Sequence, residues 1–545
     1  MSKTTSVFSR VPIKVQDRSG FDMSHENLFT AKVGTLIPAS VEEVMPGDII
    51  SVGSAINVEL PPLATNFKGR VDARLEAFFV PNRLLWAGWQ DFITQDPNHA
   101  PAVPGYSVAS SIPKVGIASA YTGAGTLTDY LGCKDIKVTG STTLILNALP
   151  YLAYQKIWDD WYRDPNIQQP FFVDGLSSIS STDPRAAYMP YMRESGILNY
   201  TGGTSAAANS IKGYNGRYLT GLAQRNFAKD YFTTMTTQPQ AGAAAELKFS
   251  ITGTTATEEV GTVEGSGSFS IASLRAANAL QKWLERNNIA GTRYYDQILA
   301  HYGVLPSDAV FQRSVLLGSM TTPVIVNSVA QQSQGTNAQT KNPYGNSTGA
   351  MFGRGNAFGK DSLIDHFEVK EHGYVFIMFS LVPHAYYSTG CRRYLAYRDA
   401  SSDFAFPEFA GIGDQEIMKY EAYAPALLDV SEPVLGYAQR YSEYKYHDDE
   451  VHGLLADGQS LASFVLQRGF DSGVTLSSSM LQIPTTYMDD VMVTTEGVSG
   501  FNAVVDCFFD AKYLRVLPEY SLPSLCESEG DSGHKIYVPK GGTRL

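Results

Sequence analysis

Rings and guanidinium groups alternate along one stretch of the chain: Tyr386, Tyr387, Arg392, Arg393, Tyr394, Tyr397 and Arg398. Aromatic faces stack on unpaired bases while arginines pair with phosphates, so this spacing fits contact with single-stranded nucleic acid. Tyr and Arg are also enriched where subunits meet, and subunit packing accounts for the pattern equally well. Tyr437, Arg440, Tyr441, Tyr444, Lys445 and Tyr446 repeat the texture. Directly after them, His447, Asp448, Asp449, Glu450 and His452 form the densest run of ligand-type side chains. Two histidines five residues apart do not share a helix face, and such a run commonly marks a solvated turn. No metal is assigned; His447, Asp449 and His452 are the residues that would hold one, an ion bridging subunits being the form to test.

Enzyme motifs fail on their spacing. Gly359-Lys360 lacks the glycine five residues earlier, where Arg354 stands, and Asp361 replaces the Ser or Thr of a phosphate loop. Gly353 and Gly355 are followed by Phe358 where a dinucleotide fingerprint needs its third glycine. His25-Glu26 has Phe29 at the position of a zincin's second histidine. Asp159 and Asp160, with Asp164 one turn on and Trp158 and Trp161 beside them, resemble a sugar site. On a helix, however, these acids fall away from the apolar stripe, which reads as an exposed face. No nucleophile elbow supports any serine.

The elements that must carry these residues are mostly strands. Ile50, Val52, Ser54, Ile56, Val58 and Leu60 alternate with period two, as do Val71, Ala73, Leu75, Ala77 and Phe79, with Asp72, Arg74 and Glu76 facing the other way. These predict two half-buried antiparallel strands. Tyr374–Val382 is apolar on both faces and predicts a buried strand, and Phe501 to Tyr513 alternates over an unusually long stretch. Tyr154, Ile157, Trp158 and Trp161 fall at helical spacing, closed by Pro165. Residues 273–288, with Leu280, Trp283 and Leu284 on one face, and 295–302 predict a helical pair. Gly291 and Gly303 end its helices, and Thr292 is the expected N-cap of the second. Strands scattered over hundreds of residues fit one β core fed by long insertions, with Gly/Ser/Thr-rich loops over 101–143, 170–270 and 328–360.

Composition bounds the function. The 545 residues are 43% hydrophobic and 18% charged, enough apolar content for a large core. A net charge of −12 excludes a protein that coats nucleic acid with its whole surface. A local cationic element remains in the first 20 residues, where Lys3, Arg10, Lys14 and Arg18 oppose Asp17. Cys133, Cys391, Cys507 and Cys526 are spaced neither as a disulfide framework nor as a zinc site. No secretory leader is legible, and no run reaches the ~18 apolar residues of a membrane helix.

Eight segments in order resemble the major capsid protein of microviruses, in the gokushovirus group of small single-stranded DNA phages. They are Gly20–Asp48, Phe78–Ile93, Leu149–Asp164, Arg225–Gln240, Leu274–Val304, Glu371–Pro383, Phe406–Ile417 and Gly436–Gly453. The resemblance implies a mainly β fold: an eight-stranded antiparallel jelly-roll barrel with long, partly helical inter-strand insertions. Residues 1–20 would then be a basic arm. Residues 21–545 would be one domain, with a variable surface loop at about 170–270 and the helical pair at about 273–303. The implied function is a structural one without enzyme activity or cofactors: a T=1 shell of sixty copies around circular single-stranded DNA. The implied partners are the chain itself, the packaged DNA, a small basic DNA-binding protein, a minor spike or pilot protein and a host cell-surface receptor, without membrane insertion. The place would be the virion, assembled in the bacterial host cytoplasm. Lys3, Arg10, Lys14, Arg18, Tyr387, Arg392, Arg393, Tyr394 and Arg398 are the expected nucleic-acid contacts. Ser524–Leu545 departs from the group's shorter ending. The alternative reading is a glycan-binding or glycan-hydrolysing β protein.

Overall fold

The computed structural model describes residues 18–61, 63, 67–86, 89–94, 112–118, 124–133, 143–172, 197–198, 215–242, 271–291, 293–305, 307–308, 312–330, 351–396, 404–428, 433–492 and 501–519. Fourteen strands follow in chain order among the described residues. They are β1 Ser19–Asp22, β2 His25–Ala31, β3 Ile37–Val44, β4 Ile49–Glu59, β5 Val71–Pro81, β6 Lys114–Ala118 and β7 Thr143–Asn147. Then come β8 Ile197–Leu198, β9 Val315–Ala330, β10 Met351–Glu368, β11 Gly373–Pro383, β12 Gln415–Met418, β13 Val434–Ala438 and β14 Ala503–Arg515. The longer helices are α1 Trp89–Thr94, α3 Leu149–Ile157, α4 Ile271–Ala290 and α5 Tyr294–Tyr302, with the single turn α2 Leu127–Tyr130 between the first two.

Nine strands make one antiparallel sheet in the order β1, β14, β4, β10, β9, β5, β11, β3, with β2 also paired to β14. The sheet curls at its middle. β9 and β10 pair only where Ile325–Ala330 meets Met351–Asn356; beyond that, β10 follows β4 and β9 follows β5. The two halves therefore face each other across a core. Ser54 of β4 donates its hydroxyl to the Met320 sulfur of β9 at 3.7 Å, and Phe29 of β2 packs edge-on against Phe379 of β11. The far edges also meet: Asn27 Nδ2 of β2 donates to the Ala39 carbonyl of β3 at 2.6 Å, and His25 Nε2 lies 3.2 Å from Ser40 Oγ.

Alternation dictates which side chains fill this core. Ile50, Val52, Ile56 and Val58 of β4 meet Val505, Cys507, Phe509, Ala511 and Tyr513 of β14 inside it. β11 is buried along its whole length because it serves two cores. Val375, Ile377, Phe379 and Leu381 point between the sheet halves, whereas Tyr374, Phe376 and Met378 point outward under α3. On α3, Tyr154 donates its hydroxyl to the Leu36 carbonyl at 2.7 Å and accepts the Ala223 amide at 2.8 Å, which ties the helix to the sheet.

Four expectations are corrected here. The strands 49–59 and 71–81 run in opposite directions but do not pair, because β10 and β9 lie between them. β5 is not half-buried: Asp72 is 1% exposed and sits among Arg70, Arg74 and His384. Glu76, on the same face, pairs with Arg225 and accepts the Tyr162 hydroxyl. α3 continues as a wider π turn, Trp158–Tyr162, which turns the acids inward. Asp159 accepts the Phe171 and Phe172 amides, and Asp160 accepts both Ser314 donors. Finally, the N-cap of α5 is Arg293, without a side-chain cap bond, because its guanidinium reaches the carbonyls of Asp159, Asp160 and Arg163 instead. Thr292 lies outside the described residues.

Candidate functional site

Where β11 ends at Pro383, the chain enters irregular structure that brings distant segments together. The Tyr387 amide donates to the Asp449 carbonyl at 2.8 Å, and the Val451 amide donates back to the Tyr387 carbonyl at 2.9 Å. This short parallel bridge joins the two runs that the sequence marks separately, 386–398 and 437–452. A single helical turn, α6 Lys419–Ala422, brings Glu421 beneath them. Between these segments lies a cavity of about 770 Å³, within the ~300–1,000 Å³ range typical of ligand pockets.

Its inner wall is aromatic. Tyr387 is buried, stacked on Phe470 at 5.8 Å and tilted against Phe232 at 4.9 Å, with its hydroxyl donated to Asp230 at 2.6 Å. Burial and the Asp230 carboxylate push that hydroxyl far above the ordinary tyrosine range. Tyr231 donates to Glu421 at 2.7 Å and is raised by burial and by the Glu421 carboxylate. The rim is different: Tyr394 is 62% exposed, and Leu395, Tyr444 and Tyr446 are comparably open.

The charges between wall and rim are paired. Arg392 Nε lies 2.7 Å from Glu450, and its Nη2 lies 2.8 Å from His447 Nε2. The hydrogen bond to Glu450 raises its already high pKa. Arg393 spans Glu421 at 3.4 Å and Glu443 at 3.9 Å while donating to the Glu416 carbonyl. His452 Nε2 reaches the second oxygen of Glu450 at 3.1 Å. Burial is the first cause of a raised pKa at both Glu421 and Asp448. The Asp448 carboxyl is pushed up to about 6, with the neighbouring Asp230 and Glu450 carboxylates adding to the burial. Four carboxyl groups thus face two guanidinium groups in one cavity.

The structure places the nominated residues as follows. Tyr387, Arg392, Arg393, Tyr394, His447 and His452 line the same cavity, and Asp449 supplies the backbone bridge at its edge. Arg18 is remote, paired with Glu368 at 3.4 Å near the other end of β11. Lys3, Arg10, Lys14 and Arg398 lie outside the described residues. Among the described residues, no group of three or more His, Cys, Asp or Glu side chains gathers as a metal site would require. Sequence reasoning missed Tyr231, Phe232, Glu421 and Glu443. Their spacing carries no signal, since each becomes a wall of the cavity only through contacts made across the chain.

The tryptophans of the sugar-like segment are also spoken for. Arg217 lies 3.9 Å over the Trp158 ring and Arg313 lies 3.9 Å over Trp161, while Asp159 and Asp160 are held by the hydrogen bonds described above. Neither carboxylate faces an open cleft, as acid–base hydrolysis would demand.

Comparison with known proteins converges on one family. The model of the family described as capsid protein (F protein) matches residues 9–525. The capsid protein VP1 of Chlamydia phage 1 is 27% identical over 95% of this chain and 97% of its own length. The capsid protein VP1 of Bdellovibrio phage phiMH2K is 26% identical over the same shares, and that of Spiroplasma virus 4 is 24% identical over 93% and 95%. Similarity along nearly the whole length of each chain, on a curled antiparallel β core, leads to one conclusion: the chain belongs to the phage capsid protein (F protein) family and is a viral major capsid protein.

Proposed function

We propose that sixty copies of the chain close into a T=1 icosahedral shell around a circular single-stranded DNA genome, each copy contributing an eight-stranded jelly-roll barrel. The observation that carries this reading is the capsid-family match across residues 9–525. The curled sheet supports the barrel, because its halves face each other and its far edges are tied by Asn27 to Ala39. Closed point-group symmetry then limits growth to a finite particle. Residues 1–20 are proposed as an arm and 21–545 as one domain with insertions. The loop-rich stretch at about 170–270 is proposed to decorate the surface and contribute to host attachment.

Sixty copies at −12 each cannot neutralise a packaged polyanion. A small basic DNA-binding protein is therefore a proposed partner, with a spike or pilot protein and a host receptor, and assembly in the host cytoplasm. Of the nominated nucleic-acid contacts around the cavity, Tyr394 keeps an open ring for stacking, whereas Arg392 and Arg393 already hold carboxylates. Velocity sedimentation with negative-stain imaging tests the shell. Uniform round particles of about sixty subunits are the expected result. A stable monomer in the presence of partner proteins and DNA refutes it.

A further inference from the structure

Among the described residues, the cavity beyond β11 carries more acids than cations. Glu421, Glu443, Asp448 and Glu450 share it with Arg392 and Arg393, and His447 and His452 stand at its mouth. Burial is the first cause of the raised pKa of Asp448, and the neighbouring Asp230 and Glu450 carboxylates add to it. Such a lining disfavours phosphate and favours an incoming ammonium or guanidinium group, which the exposed rings of Tyr394, Tyr444 and Tyr446 would also attract.

Residues 1–16 are one of the segments of this acidic chain with the complementary character, as are residues 532–545 with Lys535, Lys540 and Arg544. Residues 1–16 contain Lys3, Arg10 and Lys14 and no acid, interspersed with Val7, Phe8, Val11, Pro12 and Ile13. We propose that the cavity is the dock for this N-terminal arm of a neighbouring copy, with its lysine and arginine side chains received among the carboxylates.

Geometry favours a neighbour over the same copy. Arg18 is anchored on Glu368, just before β11 begins, whereas the cavity opens just after β11 ends. An arm returning to its own cavity must first retrace the ~33 Å length of that strand. In a shell, an adjacent copy can present its arm directly. The inference rests on the shell reading, since neighbours exist only on assembly. It also turns the arm cations from phosphate partners into carboxylate partners.

Zero-length carbodiimide coupling on particles assembled from equal amounts of ¹⁴N- and ¹⁵N-labelled full-length chain tests it. Amide links from Lys3 or Lys14 to Glu443, Asp448 or Glu450 are expected, about half of them joining unlike isotopes. Particles that form without those links, or with links only within like isotopes, overturn the proposal. A parallel titration uses a fluorescent peptide of residues 1–17 on unassembled full-length chain whose own Lys3, Arg10 and Lys14 are changed to Gln. Tyr394→Lys and His452→Arg, both on the exposed rim, are expected to weaken peptide binding about tenfold. Unchanged binding in both, or displacement of the peptide from the cavity by a dT oligonucleotide, overturns the proposal. A failure to form particles counts against the shell, and the titration then decides the dock independently.

Discussion

Single side chains in this protein act mainly through buried charge. Glu76, Arg225 and Tyr162 form a closed set under the sheet, with Arg225 Nη2 at 3.0 Å from Glu76 Oε1 and Nη1 at 3.0 Å from Ser380 Oγ. Burial pushes the Glu76 carboxyl up, but Arg225 and the Tyr162 hydroxyl outweigh it and hold the pKa below 4.5. Folding therefore favours the ionised form, and its contribution is full above pH 4.5 and drains as the pH falls through the lowered value. Glu76→Gln is expected to cost about 3 kcal/mol at pH 7 by urea unfolding, because it leaves Arg225 buried without its partner. The gap from the parent should narrow below pH 4.5. Asp448 has the opposite sign. Its carboxyl is raised from 3.8 to about 6, so folding favours the protonated form and stability falls as the pH rises through that window. Asp448→Asn should remove this slope and make the chain about 1 kcal/mol more stable at pH 7, a gain kept small by its partial exposure. Cys507, buried with its thiol pushed well up, should resist a thiol reagent until the chain unfolds.

Elements are constrained where strands cross at close range. β9 pairs with β5 through a register shift at Ala77/Phe78, and β10 with β4 through one at Ser362/Ile364. Between these irregularities Gly318 meets Leu363, and a Cβ on Gly318 would lie 1.9 Å from the Leu363 carbonyl oxygen. A backbone atom cannot swing aside as a side chain would. Gly318→Ala is expected to lower stability by about 3 kcal/mol and to sharply reduce the yield of assembled particles, measured by thermal unfolding and sedimentation. Spontaneous accommodation, with an unchanged unfolding midpoint, would show that the two sheet halves slide freely. The π turn after α3 is a second constraint of this kind. By widening the last turn it aims Asp159 and Asp160 at the Phe171, Phe172 and Ser314 amides, where a straight helix would leave them in solvent.

At the scale of the whole molecule, charge and closure set the behaviour. In the proposed DNA-filled shell, copies at −12 would repel the cargo, so filling would depend on cations supplied from elsewhere. Particles reconstituted without a basic protein or polyamine are expected to be empty. Adding one should raise the ratio of absorbance at 260 to 280 nm in the particle fraction, and DNA-filled particles without any polycation would contradict this balance.

The sequence by itself determined the strand cores, since period-two alternation leaves β4 and β14 one way to bury Ile50, Ile56, Val505 and Phe509. It also placed α3 and the helical pair, and its eight ordered segments carried the capsid family. Only the tertiary structure decided what lies beside what. β4 and β5 are consecutive in the chain yet separated by β10 and β9, because the strands that hydrogen-bond to their edges arrive hundreds of residues later. Asp72, Asp159 and Asp160 read as solvent-facing because a local pattern cannot reveal the histidine and amides that reach them from other segments. The cavity was half legible: its tyrosines, arginines and histidines stand out by type. Its acidic balance was not, because Glu421 and Glu443 join it only when long-range pairing at Tyr387 closes the wall.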